Sequence, residues 1–197
     1  MRDLLTALLG ELEKFSKSHD PKTADHSRKM LNITRDTGEF LCVLVRASGA
    51  RRVLELGTSN GYSTLWLASA ARANGGTVTT VELSDFKVGL ASSNFAKSGL
   101  ASSIALLHED IGNVFARSAA DSFDFVFLDT DRSRYVGWWP DLKRVLRPGG
   151  MLVVDNATTH RHELAAFIDL INADSTFVSC LVPIGNGEFI AVKAANV

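Results

Sequence analysis

The apolar run Val53-Leu54-Glu55-Leu56 stops at Gly57. A second glycine, Gly61, closes the turn before Ser63-Thr64 open a segment that continues through Leu65, Trp66, Leu67 and Ala68. This is the pattern of a strand buried on both faces that passes through a tight turn into a helix. Glycines at both ends of the turn let backbone bend sharply or approach a ligand. Parallel strands present ligands at their carboxyl ends, and a helix start behind such a turn offers free N–H groups. The stretch predicts an α/β fold with a polar ligand at the turn. Glu55, Gly57, Thr58, Ser59, Gly61, Tyr62 and Ser63 are the residues expected nearest that ligand.

The next segment of chain narrows the ligand to a nucleoside. Thr77–Glu82 reads as a second strand, and Glu82 lies about 20 residues beyond Gly61, the spacing at which an acidic side chain commonly takes ribose hydroxyls. Gly57-x-x-x-Gly61 departs from G-x-G-x-x-G, whose third glycine allows close packing beside a pyrophosphate; Tyr62-Ser63 stand in that region. A cofactor without a pyrophosphate fits better, which disfavours a nicotinamide-dependent oxidoreductase.

The strand and helix units repeat along the chain. Residues 2–17 carry Leu4, Leu5, Leu8, Leu9, Leu12 and Phe15 at helical spacing, giving a broad apolar face for the sheet or a second subunit. Residues 18–32, charged and broken by Pro21, form a linker without periodicity that is expected either to wrap the site or to stay mobile. A helix is expected over 36–48, with Asp36 as its N-cap and Gly49 as its stop. Further strands are expected at 104–107, 122–129 and 151–156, with helices at 85–99 and 160–172 and a turn at Pro148-Gly149-Gly150. Phe177–Val182 and residues 188–192, joined by Gly185-Asn186-Gly187, read as an antiparallel hairpin. Such alternation predicts a mostly parallel sheet with helices on both faces, and places Glu55, Glu82, Asp110, Asp129, Asp155 and Asn156 along its carboxyl rim.

A chain of 197 residues, 46% hydrophobic, suits one domain: an N-terminal helix and linker over 1–33 and a cofactor-binding core over 34–197. Net charge is −1 with both signs interspersed, which argues against nucleic acid or an anionic membrane as partner and for a small molecule. Cys42 and Cys180 both lie in apolar runs, so a reducing cytoplasm is the simpler location.

Asp129 and Asp155-Asn156 end two strands that this topology can set side by side. Three hard oxygen ligands would suit Mg²⁺ or another divalent cation that keeps positions open for substrate oxygens. The competing reading makes Asp155-Asn156 a helix cap and Asp129 a surface turn.

At these residues the chain resembles the cation-dependent O-methyltransferases, class I S-adenosylmethionine enzymes that include catechol and caffeoyl-CoA O-methyltransferases. The resemblance runs from about Thr34 to the C-terminus and rests on Glu55-Leu56-Gly57-x-x-x-Gly61-Tyr62-Ser63, Glu82, Asp110, Leu128-Asp129, Asp155-Asn156 and Pro183-Ile184-Gly185-Asn186-Gly187. It implies a Rossmann-like methyltransferase fold with a mostly parallel seven-stranded sheet and a C-terminal antiparallel hairpin. It implies S-adenosylmethionine as cofactor, with Glu82 at the ribose and Asp110 bordering the adenine. It also implies Mg²⁺ on Asp129, Asp155 and Asn156, and is compatible with a homodimer.

Two departures stand out. The family usually places a lysine, proposed as general base, three residues after the first metal aspartate, where this sequence reads Asp129-Thr130-Asp131-Arg132; arginine stays protonated at any working pH. The segment after Asp155-Asn156 also enters its helix almost at once, so acceptor identity does not carry over. The expectation is that the cation, helped by Asp131 or solvent, replaces the lysine, while Arg132 holds an anionic acceptor group and His160 is an alternative base. Trp138-Trp139 are expected to pack against the core or a subunit interface, in preference to lining an aromatic acceptor pocket. The contrasting class is a noncatalytic S-adenosylmethionine-binding protein that lost its chemistry with the lysine.

Overall fold

Side chains along the strands alternate between two apolar faces, and this decides the architecture. Val53, Phe125, Phe127 and Val153 point into one buried cluster; Leu54, Leu56, Val126, Leu128 and Val154 point into the other. A sheet apolar on both sides has to be covered on both. The computed structural model, which describes residues 2–195, meets that demand with helices on each face.

In chain order the elements are α1 (Arg2–His19), α2 (Arg35–Ala47), β1 (Arg52–Leu56), α3 (Tyr62–Ala73), β2 (Thr77–Glu82), α4 (Asp85–Ser98) and β3 (Ile104–His108). Then come α5 (Ile111–Arg117), β4 (Phe123–Leu128), α6 (Tyr135–Val145), β5 (Leu146–Val154), α7 (Arg161–Asn172), β6 (Phe177–Val182) and β7 (Glu188–Lys193). The seven strands form one sheet in the order β3-β2-β1-β4-β5-β7-β6. β1 to β5 run parallel, and β7 is antiparallel to both β5 and β6. The expected fold class is the observed one.

Helices α1 to α4 cover the first face through Leu8, Leu12, Leu41, Val45, Leu65 and Phe95. Helices α5 to α7 cover the second, where Tyr135 stacks on Trp138 and Phe167 meets Tyr135 and Trp139 edge to face. Trp138 and Trp139 are core residues, as expected, in the body of α6. The apolar stripe of α1 meets α3 and α4.

Two local expectations are corrected, and a third that was open is decided. Asp36 is not the N-cap of α2: Thr34 takes the extended cap conformation, its hydroxyl accepting from the Thr37 N–H at 3.4 Å, and Asp36 sits inside the first turn. There its negative charge still suits the helix N-terminus, and its carboxylate also accepts from the Gly185 N–H at 3.3 Å. Pro148-Gly149-Gly150 is no free turn but part of β5, where the pairing with β4 shifts register between Phe123 and Phe125 and Gly149 takes φ +71°. A bulge absorbs the extra residues without ending the strand. The linker at 18–32 is ordered by side-chain bonds: Asp20 accepts from the N–H groups of Met30 (2.8 Å) and Leu31 (2.9 Å), folding two short 3-10 turns back on α1.

Candidate active site

β1 has β2 on one side and β4 on the other, so the helix after β1 goes to one face of the sheet and the helix after β4 to the opposite face. A crevice opens between the carboxyl ends of these two strands. Gly57 and Asp129, the residues just beyond them, meet there. A Cβ on Gly57 would stand 2.0 Å from the Asp129 carbonyl oxygen, and φ at Gly57 is +106°; no other residue fits.

The turn 57–61 is held from below and from both sides. Below it, fully buried Glu55 accepts from Ser63 Oγ (2.6 Å), Thr80 Oγ1 (2.6 Å) and the Thr64 hydroxyl, while Thr58 Oγ1 pairs with Thr80 Oγ1 at 2.6 Å. Burial pushes the Glu55 carboxyl up to about 7 against these bonds. Glu55, Thr58 and Ser63, expected nearest the ligand, thus bind one another or Thr80 and shape the turn from underneath. At the side, Ser59 Oγ donates to the Met30 carbonyl (2.7 Å), and Asn94 Nδ2 donates to the Asn60 carbonyl (2.8 Å). The Tyr62 hydroxyl donates to Glu13 Oε1 of α1 at 2.6 Å, and that carboxylate also binds Arg35 Nη2 at 2.8 Å.

Glu82 lies across the crevice from the turn. Its Oε2 accepts from the Ser59 N–H (2.9 Å) and its Oε1 from the Leu83 (3.0 Å) and Ser84 (2.9 Å) N–H groups, which fixes the carboxylate and leaves lone pairs toward the cleft. A cleft of about 150 Å³ runs from here past Gly57, Glu82, exposed Leu83, Asp110, Ile111 and Trp138. Asp110 caps α5 by accepting from the Gly112 N–H (2.7 Å) and pairs with Arg134 (2.8 Å), whose guanidinium lies over Trp138. Hydrogen bonds from Arg134 and that N–H hold the Asp110 carboxyl below its ordinary range. A fixed acid, an apolar shelf and a capping aspartate in sequence along one cleft match the parts of a nucleoside.

The three predicted oxygen residues converge beside the same turn. Asn156, at φ +66°, donates from Nδ2 to Asp155 Oδ2 (2.7 Å) and Asp129 Oδ1 (3.4 Å). Asp155 Oδ1 is buried and meets no donor when the carboxyls around it are ionised. Burial and the neighbouring charges of Asp155 and Glu55 push Asp129 well up; burial pushes Asp155 up as well. A buried orphan oxygen among carboxylates that resist ionising is an environment that a divalent cation would relieve; the capping alternative is corrected for Asp155 and Asn156, because the N-cap residue of α7 is His160. Among the described residues no three His, Cys, Asp or Glu side chains form a metal set by themselves, and Asn156 turns its Nδ2, not its oxygen, toward the two aspartates.

Sequence reasoning missed Glu188. It opens β7, is fully buried, and faces Asp155 because the antiparallel register of β5 and β7 continues past Val154 and Phe189. Thr37 Oγ1 donates to its Oε1 at 3.2 Å, and its Oε2, like Asp155 Oδ1, lacks a donor. The two carboxyls can hydrogen-bond to each other only when one of them holds a proton. Burial and the Asp155 charge push the Glu188 carboxyl up to about 10. The only signal was a carboxylate in front of the apolar run Phe189-Ile190-Ala191-Val192.

The model of the family described as O-methyltransferase matches residues 10–194. The chain belongs to this family. It is 33% identical over 174 residues to the probable O-methyltransferase Rv1220c of Mycobacterium tuberculosis, spanning 82% of this chain and 77% of that protein. A catechol O-methyltransferase of the same organism is 36% identical over 124 residues, 63% of this chain and 56% of its own length. An O-methyltransferase from Bacillus cereus, solved in complex with SAH, superposes with a TM-score of 0.79 at 24% identity, covering 95% of this chain and 90% of that one.

In this O-methyltransferase the expected catalytic residues flank the oxygen cluster. Asp131 Oδ1 accepts from the Ser133 N–H (3.1 Å) and Oγ (2.7 Å), starting a 3-10 turn at Arg132–Arg134. Arg132 Nε donates to Glu163 Oε2 of α7 at 2.8 Å, and its charge acts on both Asp129 and Asp155. His160 is the N-cap residue of α7, with Nδ1 3.0 Å from Thr159 Oγ1, close enough for its charge to act on Asp155.

Proposed function

We propose that the chain transfers a methyl group from S-adenosylmethionine to a hydroxyl of a small aromatic acceptor that carries a second oxygen beside it, with a divalent cation, Mg²⁺ in the simplest case, on Asp129, Asp155 and Asn156. The observation that carries the reading is the buried, donor-less Asp155 Oδ1 in a cluster that adjoins the Gly57 turn. Glu82 would take the ribose hydroxyls, Asp110 and the face of Leu83 would border the adenine, and free N–H groups of the turn would meet the methionine end. When bound, the cation supplies a site for both acceptor oxygens and favours the deprotonated hydroxyl, which has a pKa of about 10 in an ordinary phenol.

The reaction is an in-line displacement: the acceptor oxygen forms a bond to the methyl carbon, the carbon–sulfur bond breaks, and the sulfonium becomes a neutral thioether. The protein's share is to aim the oxygen and exclude water. In the ion-free protein Asn156 holds both aspartates by hydrogen bonds from Nδ2, bonds it would give up to hold the cation through Oδ1, and Glu188 walls the cluster behind Asp155. The acceptor's proton leaves to solvent, to Asp131 or to His160, because Arg132 accepts none.

Methyl transfer to catechol, measured with Mg²⁺ and with a chelator, tests the reading. Turnover should vanish in chelator, return with Mg²⁺, and fall by at least about a hundredfold in Asp155→Ala. Full turnover in chelator, or in Asp155→Ala, would overturn the cation's role.

A further inference from the structure

Two helix faces leave a gap between them beside the glycine turn. On α1, Leu8, Leu12 and Phe15 lie one and two turns apart and share a face; on α4, Leu90, Asn94 and Lys97 repeat the same spacing. Between them lies a cavity of about 270 Å³, by volume the room of about nine liquid waters, and Asn60 of the turn also lines it. This cavity shares no lining residue with the cleft at Glu82. It is graded from inside outward: Leu8, Leu12, Asn60 and Asn94 are buried, while Phe15, Glu11 and Lys97 are exposed at the mouth. Asn60, 1% exposed, carries an unspent donor. Its Oδ1 accepts from the Tyr62 N–H at 3.2 Å, which identifies the other amide atom as nitrogen, and its carbonyl accepts from Asn94 Nδ2 at 2.8 Å. Among the described residues Asn60 Nδ2 meets no acceptor. A buried N–H without an acceptor is costly, and an oxygen brought to it relieves the cost.

An occupant of this cavity has to offer an oxygen acceptor at its inner end and an apolar body to the leucines. Its charge follows from the surroundings. Glu11 and Lys97 stand at the mouth with opposite signs, so neither an anion nor a cation is favoured there, and a full charge at the inner end would meet only neutral amides. We propose that the cavity between α1 and α4 is a second small-molecule site, separate from the crevice for methyl donor and acceptor, which takes a compact neutral ketone or amide with its carbonyl oxygen on Asn60 Nδ2. The turn couples this site to the cofactor. Asn60 follows Ser59, whose N–H donates to Glu82 at 2.9 Å, so an occupant that fixes Asn60 pre-orders the residues proposed to hold S-adenosylmethionine. The coupling rests on the methyl-transfer reading; the cavity site does not.

Cyclohexyl methyl ketone, a saturated carbonyl compound with no hydroxyl to be methylated, is the probe, and cyclohexanecarboxylate is its anionic counterpart. Titrated into isotope-labelled protein and followed by NMR, the ketone should bind in the millimolar range and shift the Asn60 side-chain amide. Asn60→Asp keeps an oxygen to accept from the Tyr62 N–H and removes the donor, so it should weaken ketone binding about five- to tenfold. Leu90→Trp fills the cavity from α4 and should abolish ketone binding while SAH affinity, which checks the fold, stays the same. Asp155→Ala, in the other crevice, should leave ketone binding as it is. In calorimetry, saturating ketone should tighten SAH binding about threefold, and SAH should tighten ketone binding by the same factor. No ketone binding in wild type, or equal binding in Leu90→Trp, overturns the site. Equal binding in Asn60→Asp overturns the carbonyl contact, and a carboxylate that binds more tightly than the ketone overturns the neutral class. An SAH affinity that ignores the ketone overturns the coupling. If the ketone binds as described and SAH does not bind at all, the methyl-transfer reading fails and the cavity site stands.

Discussion

Glu188 illustrates how a single side chain acquires a role from its neighbours. Alone in an apolar strand it carries no recognisable signal; placed against Asp155 by the β5–β7 register, it becomes part of a buried acid cluster. Raised to about 10 by burial and by the Asp155 charge, it keeps its proton at neutral pH in the ion-free protein. A cation on the proposed ligands would compete with protons here, so its affinity should rise with pH and its binding should release protons. Titration calorimetry in buffers of different ionisation enthalpy reads this directly, and Glu188→Gln should release fewer protons than wild type; equal release would show that Glu188 takes no part. The neighbouring ligand candidates were legible, because Asp129 and Asp155-Asn156 terminate strands whose apolar pattern is unambiguous. The roles expected of Glu55 and Ser63 were less so, since sequence spacing does not tell whether a polar group points at a ligand or braces the turn beneath it.

At the scale of elements, α1 shows the limit of periodicity. Its leucines announce a buried stripe, but only packing reveals that Glu13, on the same helix, reaches the Tyr62 hydroxyl and joins it to Arg35 at the start of α2. The helix is thereby tied to the turn at which the cofactor is proposed to bind. Glu13→Gln and Tyr62→Phe should each weaken SAH binding by about three- to tenfold, the size of a partly exposed charge-assisted hydrogen bond. The double variant should be no weaker than Glu13→Gln alone, because Tyr62→Phe removes only the contact that Glu13→Gln has already altered. Additive losses in calorimetry would mean that the two residues act separately. Pro148-Gly149-Gly150 makes the complementary point: turn residues suggested a turn between strands, but pairing with β4 keeps them within β5, with a register shift beside them. Helices α5 and α6 escaped definition because each is short or interrupted, α6 by Pro140.

For the whole molecule, two sets of buried carboxyls pull stability in opposite directions with pH. Glu55, raised from 4.5 to about 7 by burial, is protonated more readily folded than unfolded. Its contribution is complete below the unfolded value and is lost as pH rises through about 7, an upper figure of roughly 3 kcal/mol. Asp124 behaves in the reverse sense: hydrogen bonds from Arg52, Arg147 and two backbone N–H groups outweigh its burial and bring it down to about 2, so its contribution holds above 3.8 and is lost as pH falls toward 2. Denaturant unfolding of the ion-free protein should show greatest stability at about pH 4 to 5, with Glu55→Gln flattening the decline on the alkaline side. A decline of the same slope in that variant would remove Glu55 as its cause. The sequence by itself determined the alternation of strands and helices, the sheet buried on both faces, the glycine turn and the acids at the strand ends, because these depend on periodicity and local backbone freedom. The tertiary structure alone decided which acids face one another, which brace the turn, and that Arg132 and Glu163 meet across 31 residues of chain. Contacts between distant segments are dictated by strand order and register, and those are set by the sum of packing over the whole sheet, not by any local stretch.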